Sequence, residues 1–279
     1  MQLTPRYGTA PVLVLDGPPD AVAEPADRQR RRLAETLATL TDEQWAQPSR
    51  CEEWTCREVI VHLESANRFW TYSISAGLAG EPSRFMAAFD PVATPLDIVA
   101  AEGALSNDEV LDRFVASAEA LTDLLSSLGD DGWATLAEAP PGHVAIGAVA
   151  HHALWDSWVH ERDVMLPLGL VPDEEPDEIA ASLRYVAALG PTFVRTSGGT
   201  RRGTLVVAAT DPDVRLVVEV DDPIVVRDGS ADADLCLGGR SVDLLEALSM
   251  RAPLDQAVPE GSAWILGGLA SAFDQAGPG

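Results

Sequence analysis

The chain has 279 residues, 46% of them hydrophobic, and a formal net charge of −25 from 19 Lys+Arg against 44 Asp+Glu. Enough apolar side chains for a large core exclude wholesale disorder, and so acidic a surface would repel both a phosphate backbone and an anionic membrane. Cys51, Cys56 and Cys236 are too unevenly spaced for a disulfide framework, and neither a signal peptide nor a membrane span of ~20 apolar residues is visible. A cytoplasmic protein is expected, with no nucleic acid and no membrane as partner.

Residues 1–26 are rich in Pro and Gly and hold one apolar run, PVLVLDG (11–17), which reads as a strand or an extended arm. Residues 27–40 carry Leu33, Leu37 and Leu40 at helical spacing, and Thr41 caps a further turn. In PSRCEEWTCREVIVHLESANRFW, Thr55 and Glu58 make a capping box, and Val59, His62, Leu63, Ala66, Phe69 and Trp70 form one inward face. His62 stands there where a leucine would be expected, as either a core histidine or a ligand. A long stretch punctuated by Pro82, Pro91 and Pro95 follows, too long for a simple connection and suited to framing a pocket. The next helix spans roughly 107–128, from Val110, Phe114, Ala118, Leu121 and Leu125. Pro140, Pro141 and Gly142 then break the chain, with His143 in the loop or first turn after them.

The stretch HHALWDSWVHERDVMLPLG (151–169) places His152, Asp156 and His160 at i, i+4 and i+8, close to one stripe of a helix that ends before Pro167. A carboxylate one turn before an imidazole on a half-buried helix begins a divalent metal site, and His62 is the candidate third ligand. For His151 and His152 a packed or surface histidine is the plainer reading, with a fourth ligand or an outer contact as the alternative for His152. Four such helices make a bundle whose core is a usual place for ligands from facing helices.

Beyond Leu170 the pattern changes. An acidic, proline-punctuated linker leads to a helix over roughly 178–195. GTLVVAAT and VRLVVEV flank residues 211–213 as a β-hairpin, PIVVRDG and ADLCLGG offer two more strands, and SVDLLEALSM and AWILGGLASAF read as short helices. The expected class is α+β: an arm (1–26), a helix bundle (27–170) and a smaller α+β domain (171–279) with a mainly antiparallel sheet.

Three pieces together resemble one family. CEEWTCREVIVHL resembles the turn and histidine helix of the mycothiol-dependent maleylpyruvate isomerase N-terminal domain, and WDSWVHERDVMLPLGL resembles its second ligand helix. LGGRSVDLLEALSMR resembles a motif of its smaller, sterol-carrier-like C-terminal domain. Order and spacing agree over roughly residues 27–275. The resemblance implies a DinB-like four-helix bundle holding a divalent metal, zinc as a rule, on His62, Asp156 and His160. The family more usually has Glu at the acidic position, so Asp156 is one methylene shorter. Two imidazoles and a carboxylate leave a fourth position open, as a catalytic zinc requires.

The resemblance further implies a low-molecular-weight thiol, mycothiol or another, that loses its proton on the metal and attacks a small electrophilic substrate in isomerisation or S-transfer. Arg68, Asp163 and Arg240 are the candidate catalytic residues. Asp163 is placed to orient a ring nitrogen of His160, or else to make a polar contact at the helix end. Arg68 is a candidate for a substrate carboxylate, with a solvated arginine as the plainer reading, and Arg240 is a similar candidate if the second domain closes over the metal face. No cysteine falls on the ligand stripe or near an evident base, so the nucleophile is expected from outside the chain. Two rivals stay open: a metal-dependent hydrolase or diverged biosynthetic enzyme using metal-bound water or Lewis-acid chemistry, and a non-catalytic metal- or thiol-sensing module. Both a monomer and a homodimer are compatible with the sequence.

Overall fold

Hydroxyl caps set where three of the N-terminal helices start. In the computed structural model, which describes residues 3–273, β1 spans Leu13–Leu15, α1 Ala23–Leu37, α2 Asp42–Trp45, α3 Cys56–Leu78, α4 Ala93–Ala101 and α5 Asn107–Ser126. Thr41, Thr55 and Ser106 each accept from the backbone N–H of Gln44, Glu58 or Glu109, whose side chain reaches back to the cap. Each such cap is worth ~1 kcal/mol against alanine. Then come α6 (Asp130–Ala134), a hairpin of β2 (Leu136–Ala139) and β3 (Gly142–Ala145), and α7 (Ile146–Met165). His143 therefore lies on a strand, opposite Glu138, and not in a loop or first helical turn. The prolines that break the chain form the link between the two strands.

The helices α1 and α3 each pack against both α5 and α7, which makes a square bundle. The apolar residues of this bundle fall into two clusters, with Leu33, Leu63, Phe114 and Val164 in one and Ala26, Trp70, Leu121 and Leu154 in the other. Between them lies a buried polar layer. Arg30 donates to Asn67 Oδ1 (3.1 Å) and to the Ala153 carbonyl (2.9 Å), and Asn67 donates to Ser117 Oγ (3.4 Å). Along α7, His160 falls between Val159 of one cluster and Val164 of the other.

The second half contains α8 (Pro176–Thr196), β4 (Gly203–Thr210), β5 (Val214–Val220), β6 (Ile224–Asp228), β7 (Leu235–Arg240), α9 (Ser241–Leu248) and α10 (Gly267–Ala272). A single 3-10 turn at Ala263–Ile265 precedes α10, so the last predicted helix is split in two. The sheet order is β1-β6-β5-β4-β7, antiparallel through β6, β5 and β4 and parallel at both edges. One edge is the N-terminal arm, whose Leu13 pairs with Ile224. The arm also crosses β3 at Gly142, which has φ +126° and where a Cβ would meet the Arg6 carbonyl oxygen at 2.0 Å. Only glycine fits that crossing.

The bundle and the second half share α7, since α8 packs on the side of it that the bundle leaves open. Asp156 is the one residue of α7 that escapes full burial. A helix enclosed on all sides must pair its polar groups inside the protein. Accordingly Glu161 accepts from Arg32 and Gln29, Arg162 donates to Glu246, and His151 Nδ1 lies 2.7 Å from the Gly147 carbonyl. No described helix is long and apolar enough to cross a membrane.

Candidate functional site

Because α3 and α7 are neighbours, the imidazole of one helix meets the carboxylate and imidazole of the other. His62 Nε2 lies 3.8 Å from Asp156 Oδ2, and His160 Nε2 lies 3.6 Å from Asp156 Oδ1. The two imidazoles meet edge to face, with centroids 4.9 Å apart at 75°. All three donor atoms lie within 4.8 Å of one another. Donors held tetrahedrally at the usual zinc distances lie ~3.4 Å apart, so the set suits a divalent cation with little adjustment. The short Asp156 side chain still reaches, one oxygen facing each imidazole.

Burial alone would raise the pKa of Asp156, but the imidazoles of His62, His160 and His152 around it hold it well below the usual carboxylate range. Burial likewise opposes the charged form of His160. The hydrogen bond to Asp163, the Cys51 sulfur and the charge of Asp156 outweigh it and raise the pKa to about 10. A cation bound by His160 would take the place of that proton.

Behind His160 stands Asp163, fully buried, with Oδ2 3.0 Å from Nδ1. This bond leaves Nε2 directed at Asp156, the carboxylate–histidine arrangement that orients metal-ligating rings. Arg251 closes on Asp163 from the second half of the chain, donating from Nε (2.9 Å to Oδ1) and Nη2 (2.8 Å to Oδ2). Its position follows from the end of α9. Arg251 N–H bonds the Glu246 carbonyl (2.8 Å) and Met250 N–H bonds that of Ala247 (3.1 Å). Met250 takes φ 60° where such a helix end usually has glycine, and the turn aims Arg251 back at α7. Glu246 itself joins the halves, accepting from Arg162 Nε at 2.7 Å and from Arg50.

The donors open onto a cavity of about 1730 Å³. The proline-punctuated stretch between α3 and α5 does frame it: Phe85, Met86, Phe89, Val92 and Leu96 form much of its wall. Glu138, fully buried on β2, fixes that wall by accepting from the Phe85 and Met86 N–H groups (2.8 Å each), Ser83 Oγ (2.6 Å) and Tyr7 Oη (2.6 Å).

Of the residues singled out from the sequence, His62, Asp156, His160 and Asp163 come together. Arg68 lines the cavity, but its side chain is 62% exposed and its partner is Glu64. Arg240 lies elsewhere. It ends β7, pairs with Glu174 and Asp211, and does not line the cavity; α9 separates it from Arg251, which does line it. Nothing in the local pattern distinguishes these two arginines. His152 lines the cavity without joining the converging donors, and its Nδ1 lies 2.7 Å from Tyr185 Oη. The expectation that no cysteine has a base nearby is corrected for Cys51. Half-buried Cys51 has Sγ 3.3 Å from Asp163 Oδ2, 3.7 Å from Arg251 Nη2 and 3.8 Å from His160 Nδ1. It lies just before the cap of α3, and only the packing of α3 on α7 brings it there.

A helix bundle with a candidate metal centre at the junction with an α+β half is the class that fold and site define. The family model for the mycothiol maleylpyruvate isomerase N-terminal domain matches residues 26–165, and the chain belongs to that family. Two solved structures share the fold: the mycothiol-dependent maleylpyruvate isomerase and a histidine-to-alanine mutant of it. Each has a TM-score of 0.61 at 17% identity, over 88% of this chain and 96% of the other. A search of curated proteins by sequence finds no match.

Proposed function

We propose that His62, Asp156 and His160 hold a divalent metal, zinc by the character of the donor set, and that the chain is an enzyme using mycothiol to isomerise a small electrophilic alkene. The convergence of two imidazoles and a carboxylate at the wall of a large cavity carries this reading, and the family's own name supports the thiol and the reaction class. When bound, such a metal supplies positive charge that keeps a coordinated thiol, with an ordinary pKa of ~8.5, deprotonated at neutral pH.

The chain's residues do the rest. Asp163, clamped by Arg251, holds the His160 ring with Nε2 toward the other ligands. Trp54 stacks beside His62 with centroids 5.1 Å apart and covers it. The apolar wall would limit water at the site, where it would compete with the thiol as nucleophile. The cavity exceeds the ~300–1,000 Å³ of a pocket for one small ligand, leaving room for thiol and alkene together. In this chemistry the thiol adds across the double bond, the resulting single bond turns, and the thiol leaves unconsumed. The bundle (27–170) would hold the metal, and the domain after it (171–279) would supply Arg251.

The test is metal analysis of wild type and of His62→Ala, Asp156→Ala and His160→Ala, with circular dichroism on each, followed by turnover with mycothiol, with glutathione and without thiol. Metal should be lost from all three variants while the bundle stays folded, because their apolar neighbours supply the core. Wild-type metal content in the variants would refute the ligand set. Full-rate turnover without any thiol would point instead to metal-activated water.

A further inference from the structure

One cavity-lining imidazole has no part in the candidate centre. His152 stands one turn before Asp156 and is only 6% exposed. Its ring centroid lies 4.6 Å from that of Trp70, 5.1 Å from Tyr185 and 5.3 Å from Trp155. Tyr185 is completely buried, and His152 Nδ1, at 2.7 Å, is the one hydrogen-bond partner of its hydroxyl among the described residues. A buried hydroxyl proton requires an acceptor. Tyr185 therefore donates to Nδ1, and the neutral ring carries its own proton on Nε2. Nε2 has no partner among the described residues and is not among the sealed, unsatisfied atoms; it opens to the cavity that the ring lines. Burial keeps the ring neutral, with a pKa lowered to about 4. A fixed N–H donor thus faces the cavity one turn from a candidate metal ligand.

The remaining lining indicates what that donor meets. Arg50, Arg68 and Arg251 each already bind a carboxylate, those of Glu246, Glu64 and Asp163. Glu52, Glu53 and Glu102 add acidic groups. A dicarboxylate would find no unpaired cation among the described lining residues, whereas the Phe85, Phe89, Val92 and Leu96 wall suits a hydrocarbon body.

We propose that His152 Nε2–H binds the carbonyl oxygen of a mainly apolar α,β-unsaturated carbonyl substrate, with Tyr185 as the positioning residue that keeps the proton on Nε2. This rests on the thiol-dependent reading above. As the thiolate sulfur bonds to the β carbon, the alkene electron pair shifts toward the carbonyl and leaves an enolate oxygen. His152 donates to that oxygen more strongly than to the ketone, without giving up its proton. When the enolate re-forms the alkene, the sulfur leaves with its electron pair.

Two measurements on the full-length protein test this, and neither uses a thiol or turnover. The first is binding, by calorimetry, of benzylacetone, a saturated ketone that protein cysteines cannot attack, against butylbenzene and succinate. Wild type should prefer the ketone to both, and His152→Phe should weaken ketone binding roughly 3- to 10-fold, the worth of one hydrogen bond, leaving butylbenzene unchanged. His152→Gln, which restores an N–H donor, should recover most of the loss. Ketone binding unchanged in His152→Phe, or succinate bound better than the ketone by wild type, would overturn the proposal. The second is imidazole ¹⁵N NMR. It should show His152 protonated on Nε2 in wild type and as a tautomer mixture in Tyr185→Phe. A wild-type ring protonated on Nδ1 would overturn the proposal even if His152→Phe failed to fold. Failure of the thiol-dependent reading would appear separately, as full turnover without thiol.

Discussion

Arg251 grips both carboxylate oxygens of Asp163 at 2.8–3.0 Å, and Asp163 in turn holds Nδ1 of His160. A residue near the C-terminus thereby sets the aim of a ring in the bundle. Arg251→Met should leave Asp163 with Arg50, whose Nε is 3.6 Å away, as its remaining arginine, beside the His160 ring. Metal affinity, measured by chelator competition, should fall ~10- to 100-fold, the usual effect of losing such an outer partner. Stability should fall by no more than the ~3–5 kcal/mol of a broken buried pair, since Arg251 is partly exposed. An unchanged affinity would mean that His160 is held without this clamp.

Glu138 ties the cavity wall and the N-terminal arm to the hairpin through four hydrogen bonds. Glu138→Ala strands four donors, two of them backbone, and should cost roughly 2–4 kcal/mol in urea unfolding. Hydrogen exchange should quicken first at Phe85 and Met86. Equal protection of those amides in both proteins would show that the apolar contacts hold the wall without the carboxylate.

The three thiols differ in access, with Cys56 buried, Cys51 half-buried on the cavity and Cys236 exposed. Burial also pushes the Cys56 thiol pKa up, which slows its alkylation further. In a Cys236→Ser protein, iodoacetamide should label Cys51 alone, as read by mass spectrometry of peptides. The added group sits beside Asp163 and His160 and should lower metal affinity, whereas Cys51→Ser should keep it. Alkylated protein with wild-type metal affinity would show that Cys51 lies clear of the centre.

Both buried histidines in the first half of α7 oppose acid. Burial lowers the pKa values of His151 and His152 from 6.5 to about 4. The unfolded chain therefore binds more protons than the folded one between those values, and stability is lost as pH falls through that window. Across that window each ring removes on the order of 3 kcal/mol of stability. His151→Leu should flatten the fall in unfolding free energy between pH 6.5 and pH 4. A slope identical to wild type would show that the ring is protonated in the fold.

Local pattern makes much of this protein legible. The capping box at Thr55 places α3, the apolar spacing from Val110 to Leu125 places α5, and the i, i+4 spacing places Asp156 and His160 together, because short-range sterics and backbone hydrogen bonding act within one or two turns. His62 is visible as an imidazole on an apolar face. Contacts between segments distant in the chain are not legible in this way. That β1 forms the sheet edge beside β6, that Arg251 and not Arg240 reaches Asp163, that Cys51 touches His160 and that Tyr185 fixes the His152 proton all depend on how α7 is enclosed between the bundle and α8. Periodicity reports which face of an element is buried. Which distant side chain meets that face is set by packing and by the pairing of buried polar groups, and these exist only once the chain has closed on itself.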